Sequence, residues 1–265
     1  MTVTSVKSAS FFHGFSASFR TRVQRVACFA AAIAGALAIA PGSATAAPRK
    51  PPQVVMTPTF VNWSGAYAGI WFGGGVGSNP WSNPTDGELG TTNLSGFIAA
   101  AYAGYNWQFG NTVVGIEASG GFAHITGDFM AFGTWNFAGT VQGLESVTGR
   151  LGIAVDPIGG TLLFVKGGLA AGQYKFTSDW AEIDTHFEAN QTLGGFELGA
   201  GLEHQFSGTS WANLSVRAEY SYYNFGNGSV DLFPNTDFVR PYRVNIDNWQ
   251  VHTFTIGADV HFGGH

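Results

Sequence analysis

The feature that most constrains this chain is strict period-two alternation over residues 211–225, WANLSVRAEYSYYNF. Odd positions carry Asn213, Ser215, Arg217, Glu219 and Ser221; even positions carry Ala212, Leu214, Val216, Ala218, Tyr220 and Tyr222. Successive side chains of a β-strand point to opposite sides of its sheet, so this run is a strand with one polar and one apolar face. Residues 249–262 repeat it, setting Thr253, Thr255, Gly257, Asp259 and His261 against Phe254, Ile256, Ala258, Val260 and Phe262. Residues 192–206 set Glu197, Gly199, Gly201, Glu203 and Gln205 against Phe196, Leu198, Ala200 and Leu202. The polar faces are mostly small residues with one or two charges. That is a poor surface for a sheet in water.

Five further segments, 63–76, 96–109, 112–123, 141–155 and 161–175, alternate less sharply and bring the strand count to eight. Their polar faces include Glu117, Arg150 and Lys166. The first segment, WSGAYAGIWFGGGV, is so rich in glycine that its faces cannot be assigned. Short connections at 110–111, 156–160 and 207–210 alternate with long polar ones at 77–95, 124–140, 176–191 and 226–248. Strict alternation of short turns and long loops is the habit of membrane barrels, with the turns periplasmic and the loops outside.

Composition decides which face points inward. Only 11% of residues are charged while 45% are hydrophobic, against about 25% charged in an ordinary soluble domain. A soluble eight-stranded barrel would hide the apolar face and wet the other, leaving glycine and serine as its surface. The reverse fits: apolar residues face lipid, while small, polar and charged residues fill the interior. A sheet in hydrocarbon must close, because an open edge leaves main-chain groups unpaired. The predicted fold is therefore all-β, an eight-stranded antiparallel transmembrane β-barrel with short periplasmic turns and long extracellular loops. Trp63, Trp107, Trp211, Tyr220, Tyr222 and Trp249 are expected in the aromatic girdles at the two interfaces.

The N-terminus reads as an export signal. Arg20, Arg22 and Arg25 precede an apolar stretch, Val26 to Ala40, that Pro41 breaks, and Ser43 to Ala46 supply a small-x-small end. The expected organisation is a signal peptide over 1–46, a proline-rich periplasmic leader over 47–62 and the barrel over 63–262. Cleavage removes Cys28 and with it any disulfide framework. It also removes Lys7, Arg20, Arg22 and Arg25 and no acid, which leaves 8 of the 12 basic residues against 17 acids. Nucleic acid is excluded as a partner by that balance.

Candidate functional residues fall into two groups. On the inward face lie Glu117, Arg150, Lys166, Glu197, Glu203, Arg217, Glu219 and Asp259. Charges in a narrow interior must pair, and adjacent strands make Glu117–Arg150 and Glu197–Arg217 the expected pairs. An interior of eight strands is about wide enough for side chains alone, so these charges read as a structural plug, with a small ion path as the alternative. The long loops form the second group, acidic and aromatic: they read as solvated loops whose acids keep the surface charged, with contact to a host or environmental ligand, divalent cations or lipopolysaccharide as the functional alternative. Histidines are scattered without metal-ligand spacing, His124 and Asp128 share a loop, and no Gly-x-Ser-x-Gly occurs. No catalytic residue, metal site or cofactor is expected.

Four stretches also resemble a known family. Trp63-Ser64-Gly65-Ala66-Tyr67-Ala68-Gly69, Val147-Thr148-Gly149-Arg150-Leu151-Gly152, Glu219 to Gly226 and Phe254 to Phe262 are similar, in order, to strands of small proteobacterial outer-membrane barrels. These are the porin-family or outer-membrane immunogenic proteins of rhizobia and brucellae. The resemblance implies a surface-exposed barrel without enzymatic activity, seated in outer-membrane lipid and lipopolysaccharide. It also implies delivery to the barrel-assembly machinery through the C-terminal strand. Here the chain departs from the family, whose last residue is commonly aromatic: Phe262 is followed by Gly263-Gly264-His265.

Overall fold

The structure is a computed structural model that describes residues 61–156, 160–182, 184–206, 212–235 and 241–262. The expected signal peptide, nearly all of the leader, the turn residues 157–159 and 207–210, Trp211 and the tail 263–265 lie outside the described residues. The strands are β1 (Gly65–Asn83), β2 (Gly87–Phe109), β3 (Thr112–Ala131), β4 (Trp135–Asp156), β5 (Thr161–Trp180), β6 (Thr185–Phe206), β7 (Ala212–Pro234) and β8 (Tyr242–Phe262). Each pairs antiparallel with the next in sequence, and β8 returns to β1 to close the barrel. The closing seam runs from Ala66↔Phe262 to Gly77↔Val251 and, past an irregularity, resumes at Trp81↔Ile246 and Ser82↔Asn245. At the first turn Phe109 pairs with Thr112, and Gly110 adopts a left-handed φ of 66° that a two-residue turn requires of glycine.

The outer surface carries a continuous apolar band. Ile70, Phe97, Ile116, Val147, Leu169, Leu198, Phe254 and Ile256 are each exposed by more than half. A folded chain in water rarely exposes so large an apolar patch; in lipid nothing is exposed. Towards the opposite end of the barrel from the Gly110–Asn111 turn, many outward positions become polar and paired, Thr126 with Thr140, Gln173 with Glu145, Lys175 with Glu188 and Arg243 with Asp231, while Met130 and Phe233 stay exposed. That change of chemistry marks where the barrel leaves the hydrocarbon.

Two expectations are corrected. The long connections are mostly strand. Strands of 19 to 23 residues are about twice the ~9–11 needed to cross a bilayer, so paired β-structure continues well beyond the lipid. Among the described residues, 84–86, 132–134, 181–182, 184, 235 and 241 remain outside the strands at this end. Hence His124 and Asp128 lie on β3 and not in a loop. The reason is a second, apolar interior. Trp81, Phe137, Phe176, Trp249, Ile246 and Val244 all point inward and pack together above the membrane zone. Trp81 meets Phe137 and Phe176 edge-on at 5.8 and 5.7 Å. Second, Trp63 and Trp249, expected in the lipid girdles, are each 1% exposed and face inward. Trp107 and Tyr220 do face outward, and Tyr222 is half-buried.

The assignment of faces predicts opposite responses to substitution. Leu202→Arg, outward at mid-wall, is expected to cost about 2–4 kcal/mol of stability in vesicles, while Leu202→Phe leaves stability within error; urea titration in lipid measures both. For sidedness, a cysteine replacing Asp86 should react with an impermeant maleimide on intact cells. One replacing Asn111 should react only after the outer membrane is opened.

Candidate functional site

Inward positions of the membrane zone carry a belt of charge. Glu117 from β3, Arg150 from β4, Lys166 from β5, Glu197 and Glu203 from β6, Arg217 and Glu219 from β7 and Asp259 from β8 are all buried. Every one of the eight inward charges named from sequence therefore meets in one interior. Lys166 Nζ lies 3.3 Å from Glu117, 2.9 Å from Glu197 and 2.7 Å from Glu219. Arg217 donates to Glu117 at 2.8 Å and also lies near Glu203, Glu219 and Asp259, at 3.6, 3.5 and 3.7 Å. Arg150 pairs with Glu203. Arg217 thus joins the three acids gathered on Lys166 to Asp259 and to the Arg150–Glu203 pair.

The expected pairs Glu117–Arg150 and Glu197–Arg217 are not the ones formed. Register places Gly115, not Glu117, opposite Arg150, and Tyr223 opposite Glu197. Arg217 stands opposite Glu203, but its shortest contact crosses the interior to Glu117 on β3. In so narrow a barrel a long side chain reaches the far wall as easily as the next strand.

Neutral groups complete the belt. Tyr67 donates to Glu117 at 2.9 Å and Tyr102 to Asp259 at 2.5 Å. Ser221 lies 2.7 Å from Glu197 and Ser215 lies 2.9 Å from Glu203. His261 Nε2 lies 2.6 Å from Glu203. The guanidinium of Arg150 sits 3.8 Å over the Phe164 ring and that of Arg217 sits 4.2 Å over Tyr102. Sequence reasoning did not single out Tyr67, Tyr102, Phe164 or His261. Their one signal is parity: Tyr102 shares its face with Asn106, Phe164 with Lys166 and His261 with Asp259.

Below the belt, Trp63 packs with Val113, Ala154 and Leu162 across the turn end, its main-chain N–H held by Gln108 at 2.6 Å. Above it stands the aromatic interior already described.

The sequence model of the outer membrane protein beta-barrel domain matches residues 29–262. The chain belongs to that family. It is a protein of the outer membrane. The 31 kDa outer-membrane immunogenic protein of Brucella melitensis is 30% identical over 227 residues, covering 80% of this chain and 88% of its own. The 22 kDa outer membrane protein of Rhizobium leguminosarum bv. viciae is 30% identical over 189 residues, covering 69% and 75%. Among solved structures, the outer membrane protein OprG from Pseudomonas aeruginosa aligns with 77% of this chain and 99% of its own at 12% identity, with a TM-score of 0.47.

Within this family member, Glu203, Asp259 and His261 are the trio among the described residues whose potential metal-ligand atoms gather within 4.8 Å. Arg150 and Arg217 already sit on those carboxylates. A divalent ion placed there would face two guanidinium groups, so the trio serves the cations it has.

Removing the bridging cation is the sharpest probe of the belt. Arg217→Gln leaves buried carboxylates without their partner and is expected to cost about 3–5 kcal/mol. Combining it with Glu117→Gln should cost less than the two single changes together, by about 0.5–3 kcal/mol. Urea unfolding of the four proteins in lipid gives the coupling.

Proposed function

We propose that this protein is a closed, charge-plugged barrel of the outer membrane whose role is structural and surface-interacting, without catalysis. The observation that carries the reading is the continuity of the buried interior. The Trp63 cluster, the charge belt and the aromatic core follow one another along the barrel axis, built of side chains that are almost wholly buried. Eight strands enclose little more than their own side chains. Water and ions would have to displace Arg217 and Lys166 from several carboxylates at once.

The apolar band is the surface for lipid, and the polar tip end is the surface offered to lipopolysaccharide and to a host or environmental ligand. The last described residue of β8, Phe262, pairs with both Ala66 and Ala212. On this reading the assembly machinery engages that strand during insertion and releases it when β1 pairs with it. The immunogenic naming of the Brucella relatives is consistent with exposure at the surface. A passive pore remains the competing role.

Planar-bilayer recording of the refolded protein separates the two. A closed barrel gives no discrete conductance steps, and Lys166→Ala or Arg217→Ala introduces none without first destabilising the fold. Regular steps in the native protein whose cation selectivity shifts in Glu117→Gln would establish the pore instead.

A further inference from the structure

The longest break in the barrel wall lies between β6 and β7. These strands pair from Phe196↔Asn224 down to Phe206↔Leu214 and again at Glu188↔Phe233 and Phe187↔Pro234, but no pair joins residues 189–195 to 225–232. Neither strand is loose. Across the same stretch β6 stays paired with β5, while β7, apart from its bulges, stays paired with β8. Among the described residues each therefore presents one free edge to the other. The cause is local: Gly226 has a φ of 68°, and the β7–β8 register shifts on both sides of it, a bulge that turns β7 aside.

Leu193 lies beside Gly228 in the lower part of this seam. Above it opens a surface cleft of about 770 Å³, walled by His186 and Glu188 to Gln191 on one side and by Ser229 to Asp231 and Phe233 to Asn235 on the other. That volume lies within the range of small-molecule sites, roughly 300–1,000 Å³. It sits in the zone where outward residues are polar, clear of the apolar band.

The lining selects among ligands. A peptide strand running through the seam is excluded, because register pairs close it at both ends. A purely apolar ligand would cover two rows of main-chain donors and acceptors without satisfying them. Among the described residues an anion finds no spare cation: Lys175 lies 2.9 Å from Glu188, Arg243 grips Asp231 with two bonds of 2.7 Å, and His186, also on the lining, lies 2.6 Å from Asp179. Hydrogen bonds from Lys175 and Arg243 hold the Glu188 and Asp231 carboxyls below the usual carboxylate range, so these two acids are ionised and already neutralised. What remains is a neutral ligand rich in groups that both donate and accept. Asn190, Gln191 and Ser229 offer the matching side chains, and the Gln191 Oε1 is buried with no protein partner. Phe233, 60% exposed at the rim, supplies an apolar plane for the C–H face of a sugar ring.

We propose that the β6–β7 seam is a binding site for a short neutral oligosaccharide. The proposal deepens the surface-interaction reading and rests on it for access from outside, but not on whether the interior conducts.

The test uses the full refolded chain in detergent micelles, with maltotriose and the N-acetylglucosamine trimer as probes, followed by calorimetry and by backbone-amide NMR. At least one sugar should bind saturably and shift the amides of residues 189–195 and 229–231. Gln191→Leu and Phe233→Ala should each weaken that binding at least tenfold while keeping the heat-modifiable gel mobility of a folded barrel. The proposal is overturned if neither sugar saturates, if the shifts lie elsewhere, or if both folded variants bind as the parent does. It is also overturned if a sulfated tetrasaccharide or an extended hexapeptide binds the seam more tightly than both sugars. A barrel that binds sugar yet conducts retains this site and loses the closed-interior reading; one that neither binds nor conducts does the reverse.

Discussion

A strand that crosses hydrocarbon must give its main-chain N–H and C=O groups to neighbouring strands, because no water is present to take them. In this protein that requirement is met by eight strands closed on themselves, from Ala66↔Phe262 round to Ala212↔Phe262. Closure then assigns the faces. One side of every strand meets lipid and must be apolar; the other meets a space so narrow that side chains must fill it. The charges belong to the second side by exclusion. Once there, they cannot stay apart, since a buried unpaired charge is among the costliest groups a protein can hold.

The belt meets that cost by sharing. Five carboxylates face three permanent cations, so no set of separate pairs could satisfy them. Lys166 therefore serves three acids and Arg217 contacts four. Tyr67, Tyr102, Ser215 and Ser221 supply hydroxyl donors to the remaining oxygens. Two glycines make the arrangement spatially feasible: a side chain at Gly104 would strike the Tyr67 ring, and one at Gly201 would strike Phe164. The glycine content that obscures the face pattern of β1 elsewhere makes room for the belt's large rings.

Outside the lipid the same barrel changes its logic. The interior above the belt is aromatic and the exterior is polar, as in a soluble β-protein. Bulges mark the passage between these zones. In β4 the register shifts between Val141 and Gly143, and inward residues change from odd (Trp135, Phe137, Val141) to even (Leu144, Ser146, Thr148, Arg150). In β7 the change comes at Gly226, after which Val230 and Leu232 face inward. The β6–β7 seam opens at that second bulge. One backbone device thus both extends the barrel past the membrane and interrupts its wall.

These bulges also separate what was legible from what was not. The sequence by itself determined the strands of the membrane zone, their closure and the eight inward charges, because alternation there is unbroken and one face is forced to be apolar. It did not reveal that strand continues through 124–131, 135–140, 226–234 and 242–248, since bulges invert the parity in β4 and β7 and acids on the outer face make the segments look like loops. Nor did it reveal that Trp63 and Trp249 point inward, because an aromatic suits either a girdle or a packed interior. Only the tertiary structure decided which charges meet. Arg217 and Glu117 are 100 residues apart and on strands that are not neighbours in the ring. Their contact depends on the diameter and stagger of a closed ring, quantities that no local pattern encodes.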